Sequence, residues 1–193
     1  MTYALPAAPA PPPRRQVFVG TAIASLGAIM LMGGMLAVFI RKREEVMDAG
    51  EAWLPQGVEI PGVPANVMLI GVLAIPLFAQ WAVYAARRHD RIHVGLALGL
   101  VGVIGLAAIN AQAYIYNRMD MPVADSGYAP MFYAITGAMV ALLIIGVVFT
   151  GVTAFRLLGG RQSDTELVSA HALYWYVIAG VVSAVWLIVF VTK

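Results

Sequence analysis

Five stretches of the chain stay apolar for roughly 20 residues or more, the length that crosses a bilayer core as a helix, and short charged segments separate them. The first runs from about Val17 to Ile40 and stops at Arg41-Lys42-Arg43-Glu44-Glu45. The second runs from about Ala65 to Ala86 and stops at Arg87-Arg88-His89-Asp90-Arg91. The third covers Ile92 to about Tyr116, the fourth Ala129 to Phe155 and the fifth His171 to Val191. Unpaired backbone is not tolerated in lipid, so each stretch reads as a helix. The fourth is long enough to require tilt or an extramembrane end. The pattern predicts an all-α transmembrane protein, a five-helix bundle spanning residues 16–193.

Composition strengthens that reading. Of 193 residues, 61% are hydrophobic and 11% charged, and the mean hydropathy is +0.84. A soluble domain is about 45–50% apolar and roughly 25% charged. A chain this short cannot hide such a surplus in one core, so lipid must solvate much of its surface. The net charge of +2 brings no nucleic-acid partner with it. Its 12 Lys and Arg are scattered over short hydrophilic segments and form no groove-tracking basic face. Cysteine is absent, which excludes disulfides, thiolate metal sites and Cys nucleophiles.

Lys and Arg near the helix ends set the expected orientation. With the N-terminus in the cytoplasm, that side receives Arg14, Arg15, Arg87, Arg88, Arg91, Arg156 and Arg161. The outer side receives Arg41, Lys42, Arg43, Arg118 and Lys193. The bias favours an inside N-terminus and a C-terminus on the periplasmic side. Residues 1–15 read as a Pro-rich cytoplasmic tail rather than a signal peptide, because the Pro and Ala run precedes the charges. The loop 41–64, rich in Pro and Gly, is expected to pack as an irregular outer lid. Gly95 and Gly99 have the spacing that lets helix backbones approach closely, and Gly102 with Gly105 and Gly146 with Gly151 repeat the small-residue theme.

Ionisable residues deep in a membrane are costly and usually functional, and the five spans contain none well inside. His93 and His171 fall at the margins of the third and fifth spans, and His89 lies in a charged loop. Bis-His haem ligation needs several deep histidines, and Met30, Met32 and Met35 read as packing rather than ligation. No catalytic, cofactor-binding or metal-binding constellation is expected. Gln80, Asn110 and Gln112 are candidate interhelical polar contacts, with Asn110 and Gln112 pointing to different sides of one helix. Arg87, Arg88, Arg91 and Arg156 are candidate contacts to lipid headgroups. Tyr114, Tyr116 and Tyr128 toward one face, and Trp81, Tyr84, Tyr174, Trp175 and Tyr176 toward the other, are expected to form interfacial aromatic belts.

The order of several short motifs resembles the third subunit of haem-copper oxidases, cytochrome c oxidase subunit III, in its five-helix bacterial form. Val19-Gly20-Thr21, then Met30 and Gly34, resemble that family's first helix, and Trp53-Leu54-Pro55 its WP element. The run from Gln80-Trp81 through Tyr84 to Arg88 resembles the end of its next helix, and Gln112-Ala113-Tyr114 its GQAYEY segment. Thr136-Gly137 and Tyr174-Trp175 match the starts of its TGFHGLHV and YWHFVD elements. The family's polar positions are replaced here by Ala28, Ile115, Met139, Leu142, Tyr176 and Ala179. The resemblance implies a non-catalytic accessory subunit of an oxidoreductase and proton translocase in the bacterial cytoplasmic membrane. Its partners would be the haem-bearing subunit I, other oxidase subunits and phospholipids, with haem and copper held by those subunits and none by this chain. An accessory role in a nitric oxide reductase, or a small transport or lipid-handling function, is the alternative.

Overall fold

The computed structural model describes residues 15–55, 57–122, 127–160 and 165–192. The expected Pro-rich tail falls outside them except for Arg15. Among the described residues the chain is entirely helical: α1 (Gln16–Asp48), α2 (Gly62–Arg87), α3 (Arg91–Met119), α4 (Tyr128–Leu158) and α5 (Thr165–Val185). A final segment, Trp186–Val191, continues α5 with wider π-helical turns. Among the described residues, five helices are long and apolar enough to cross a membrane, as the hydrophobic pattern predicts.

Most helix limits shift by three residues or fewer, and two differ by more, each for a physical reason. α1 passes straight through Arg41-Lys42-Arg43-Glu44-Glu45, because these residues end an apolar run yet are strong helix formers. Arg41 and Lys42 both pair with Glu45 there, at 3.1 and 2.6 Å, which is ordinary one-turn support for a helix. The expected lid therefore shrinks to residues 49–61, turned at Gly50 and Gly57, both with positive φ. It is held down by Trp53, whose ring meets Phe39 and Tyr128 edge-on at 5.3 and 5.5 Å. At the other limit, α5 begins at Thr165 with Glu166 in its first turn, where an acidic side chain is favoured.

The turn from α2 to α3 is tight. His89 takes a left-handed φ of 57°, and the Asp90 carboxylate caps α3 by accepting from the His93 amide at 3.1 Å. That amide holds the Asp90 carboxyl below its ordinary pKa, with help from the His93 ring. α2 packs against α3 and α5, α3 also against α4, and α5 also against α1 and α4. Half of the most apolar window of α5 is buried, against 28% in α1 and α4 and 33% in α2 and α3. α5 is the most deeply buried of the five helices.

Candidate functional site

The densest polar arrangement lies where α3, α4 and α5 meet. Trp175 on α5 is fully buried and fits only because two facing positions lack side chains. A Cβ added at Gly146 of α4 would meet the indole at 2.8 Å, and one at Gly105 of α3 would meet it at 3.2 Å. Both glycines belong to the small-residue pairs visible in the sequence. Gly99, by contrast, has nothing within 4 Å.

Thr150 on α4 collects the hydrogen bonds of this seam. Its Oγ1 lies 2.8 Å from the Gly146 carbonyl oxygen, 2.8 Å from His171 Nε2 and 3.0 Å from Trp175 Nε1. An indole N–H can only donate. The other nitrogen of the imidazole, Nδ1, is buried without a partner. The same indole N–H lies 3.1 Å from His171 Nε2, so it is shared between the imidazole nitrogen and the Thr150 hydroxyl oxygen, and Thr150 donates onward to the Gly146 carbonyl. His171 is thus no marginal residue: α5 starts earlier than hydropathy suggests, and the ring is completely buried.

Other contacts between helices use the same vocabulary of aromatic hydroxyl or indole to threonine or carbonyl. Tyr116 on α3 donates to Thr136 on α4 at 2.7 Å, and Tyr174 on α5 donates to the Leu142 carbonyl at 2.7 Å. Trp186 Nε1 donates to Asn66 Oδ1 on α2 at 2.9 Å. Gln80 and Asn110 are exposed and Gln112 is buried, on different sides as their spacing requires. None of the three side chains bridges two helices among the described residues, and both amide atoms of Gln112 lack a partner that meets hydrogen-bond geometry. The expected belts are also partly core. Tyr128, Tyr174 and Trp175 are buried, while Tyr84, Tyr114 and Tyr176 stay exposed.

The four candidate headgroup arginines share one end of the bundle, where α1, α3 and α5 begin and α2 and α4 end. Arg87, Arg88 and Arg91 are exposed and Arg156 half-buried. Arg88 lies over the Tyr84 ring at 4.1 Å and donates to its hydroxyl. Arg87 instead turns toward α5, into a cleft shared with Arg15, Phe18, Thr165, Glu166 and Ser169. Among the described residues, no group of three or more His, Asp or Glu is placed to hold a metal ion.

These features define a multi-pass helical membrane protein whose interior is fastened by aromatic hydrogen bonds. The chain belongs to the cytochrome c oxidase subunit III family, whose sequence profile matches residues 17–193. It is 27% identical over 182 residues to cytochrome c oxidase subunit 3 of Corynebacterium diphtheriae, covering 91% of this chain and 86% of that one. It is 28% identical over 198 residues to a probable cytochrome c oxidase subunit 3 of Rickettsia bellii, covering 93% and 68%. Against the Gallus gallus subunit 3 it is 28% identical over 152 residues and spans 58% of that chain. Of the family's polar positions replaced in this sequence, Ala28, Ile115, Met139 and Ala179 lie buried in the bundle and Tyr176 is exposed. Membership makes the chain an accessory subunit of the haem-copper oxidase class, associated with other oxidase subunits.

Proposed function

We propose that this chain packs beside the haem-bearing subunit I of a respiratory terminal oxidase in the bacterial cytoplasmic membrane. There it stabilises the catalytic subunit and supports proton uptake coupled to electron transfer, with haem and copper in its partners. The observation that carries the reading is the chemistry of the buried seam. His171, Thr150 and Trp175 spend their hydrogen bonds on one another and on backbone, which suits a structural fastener. Arg87, Arg88, Arg91 and Arg156 are proposed to meet lipid headgroups at one membrane surface, since clustered cations at that depth favour anionic leaflets. Deletion of the chain tests the role: the remaining oxidase should keep its haem spectrum but lose activity during turnover and withstand detergent less well. An oxidase of unchanged stability and activity without this chain would refute the proposal.

A further inference from the structure

Asn110 on α3 is exposed, and among the described residues its amide has no hydrogen-bond partner. It lies nine residues before the end of α3 at Met119, about 14 Å along the helix axis. α3 has 29 residues and is about 44 Å long, against a hydrocarbon core of roughly 30 Å. Asn110 therefore sits inside the core rather than at its edge. Acyl chains offer no donor or acceptor there, and an amide in hydrocarbon is costly until another helix satisfies it. This residue, expected to bridge helices, bridges none within the chain. It stands in a groove of about 440 Å³ walled by Pro64 and Val67 of α2 and by Ala107, Ala111 and Tyr114 of α3. The stripe continues along the helix: Leu96, Leu100, Val103, Ala107, Asn110 and Tyr114 are all exposed, at alternating steps of four and three residues. That is the repeat with which paired helices meet along a seam. The exposed stripe of α4, with Ile144, Ile145, Val148 and Val152, carries no amide, and lipid alone accounts for it.

We propose that α3 pairs with α3 of a second copy of this chain, about a two-fold axis normal to the membrane, with Asn110 on the seam. A second copy inserts with the same topology, so its Asn110 arrives at the same depth. An amide both donates and accepts, and across a two-fold axis the two amides exchange a pair of hydrogen bonds, N–H to carbonyl oxygen in each direction. A foreign helix would need a polar group of its own at that depth; the copy supplies one by symmetry. Ala107 and Ala111 keep this face of α3 low, which lets backbones approach closely, and the α2–α3 groove receives the flanking side chains of the copy. Charge does not oppose the contact. At one end of the stripe the His93 ring lies 2.6 Å from the Asp90 carboxylate. At the other, Arg118 is folded back onto its own Tyr114, donating to the hydroxyl at 2.8 Å. Joined this way, two accessory subunits set two oxidases side by side.

The chain contains no cysteine, which makes a site-specific test direct. Full-length single-cysteine variants A107C, N110C and V148C are expressed in their native membrane, oxidised with copper phenanthroline and separated by mass without reductant. A disulfide joins only Cα atoms within about 7 Å of each other. A107C and N110C should give a disulfide-linked dimer of the chain with itself, and V148C, exposed on α4, should give none. Two differently tagged copies expressed together report pairing without a cross-link. N110L should lower the recovery of one copy with the other about tenfold, the scale of two lost hydrogen bonds between membrane helices. Because Asn110 is exposed, that change leaves the bundle interior intact, and the cysteine variants decide without it. Absence of the dimer from A107C and N110C, or an equal yield from V148C, overturns the seam. Unchanged co-recovery in N110L overturns the amide pair. A cross-linked product that holds a different oxidase subunit overturns the assignment to a second copy.

Discussion

α1 and α5 are nearly equal in hydropathy, 2.3 and 2.2 over their most apolar windows, yet α1 buries 28% of that window and α5 buries 50%. Lipid tails are as apolar as Leu, so hydrophobicity does not drive one transmembrane helix against another. What separates the two helices is their supply of shape and hydrogen bonds. α5 brings Trp175 into a slot opened by Gly105 and Gly146, and ties it with His171 to Thr150. α1 has glycines as well, but Gly20, Gly27, Gly33 and Gly34 face open space. Its Ser25 hydroxyl is buried without a partner, and its tie to α5 at the helix start is the Phe18 amide on Glu166. Glycine makes a seam only where a facing side chain fills the gap that it leaves.

That contrast can be broken most severely at the ring. Trp175→Ala should destabilise the bundle by about 3–5 kcal/mol, as deletion of a fully packed aromatic does, measured by unfolding in mixed SDS and mild detergent. The same one-carbon change on the two helices sharpens it. Gly146→Ala, pressing a Cβ on the indole, should cost about 1–3 kcal/mol. Gly27→Ala on α1 should cost nothing and gain at most about 1 kcal/mol from helix propensity. A matching loss at both glycines in the isolated chain would end the comparison. Glu166→Ala removes the cap that α5 supplies to α1 and should cost about 1 kcal/mol, with faster proteolysis confined to the start of α1. The smallest effect is at the α2–α3 turn. The folded Asp90 carboxyl titrates below its ordinary value of 3.8. Its contribution to stability is thus complete above that value and is lost as pH falls through the depressed one. The His93 amide resonance should show a step in that acid window, and the absence of any step there would contradict the cap.

The five spans were legible in the hydrophobic pattern because crossing a bilayer demands an apolar length that nothing else in the sequence imitates. The helix limits were less so. Charge ends a membrane span but not a helix, which is why α1 runs on to Asp48 and α5 starts six residues before His171. That early start turns His171 from a margin residue into the centre of the seam. Of the small-residue signals, Gly105 and Gly146 mattered and Gly99 did not, since spacing along one helix says nothing of what faces it. The partner rings come from other helices, and only the fold brings them there.

The central claim is that this chain travels with haem and copper but holds neither. The direct measurement is affinity purification of the chain in mild detergent, followed by separation of the subunits in a harsher one with haem and copper determined in each fraction. The account predicts an oxidase-type haem spectrum and copper in the intact preparation, with both partitioning wholly to the partner subunits. Haem or copper remaining with the separated chain, or a preparation lacking any haem-bearing partner, would contradict it.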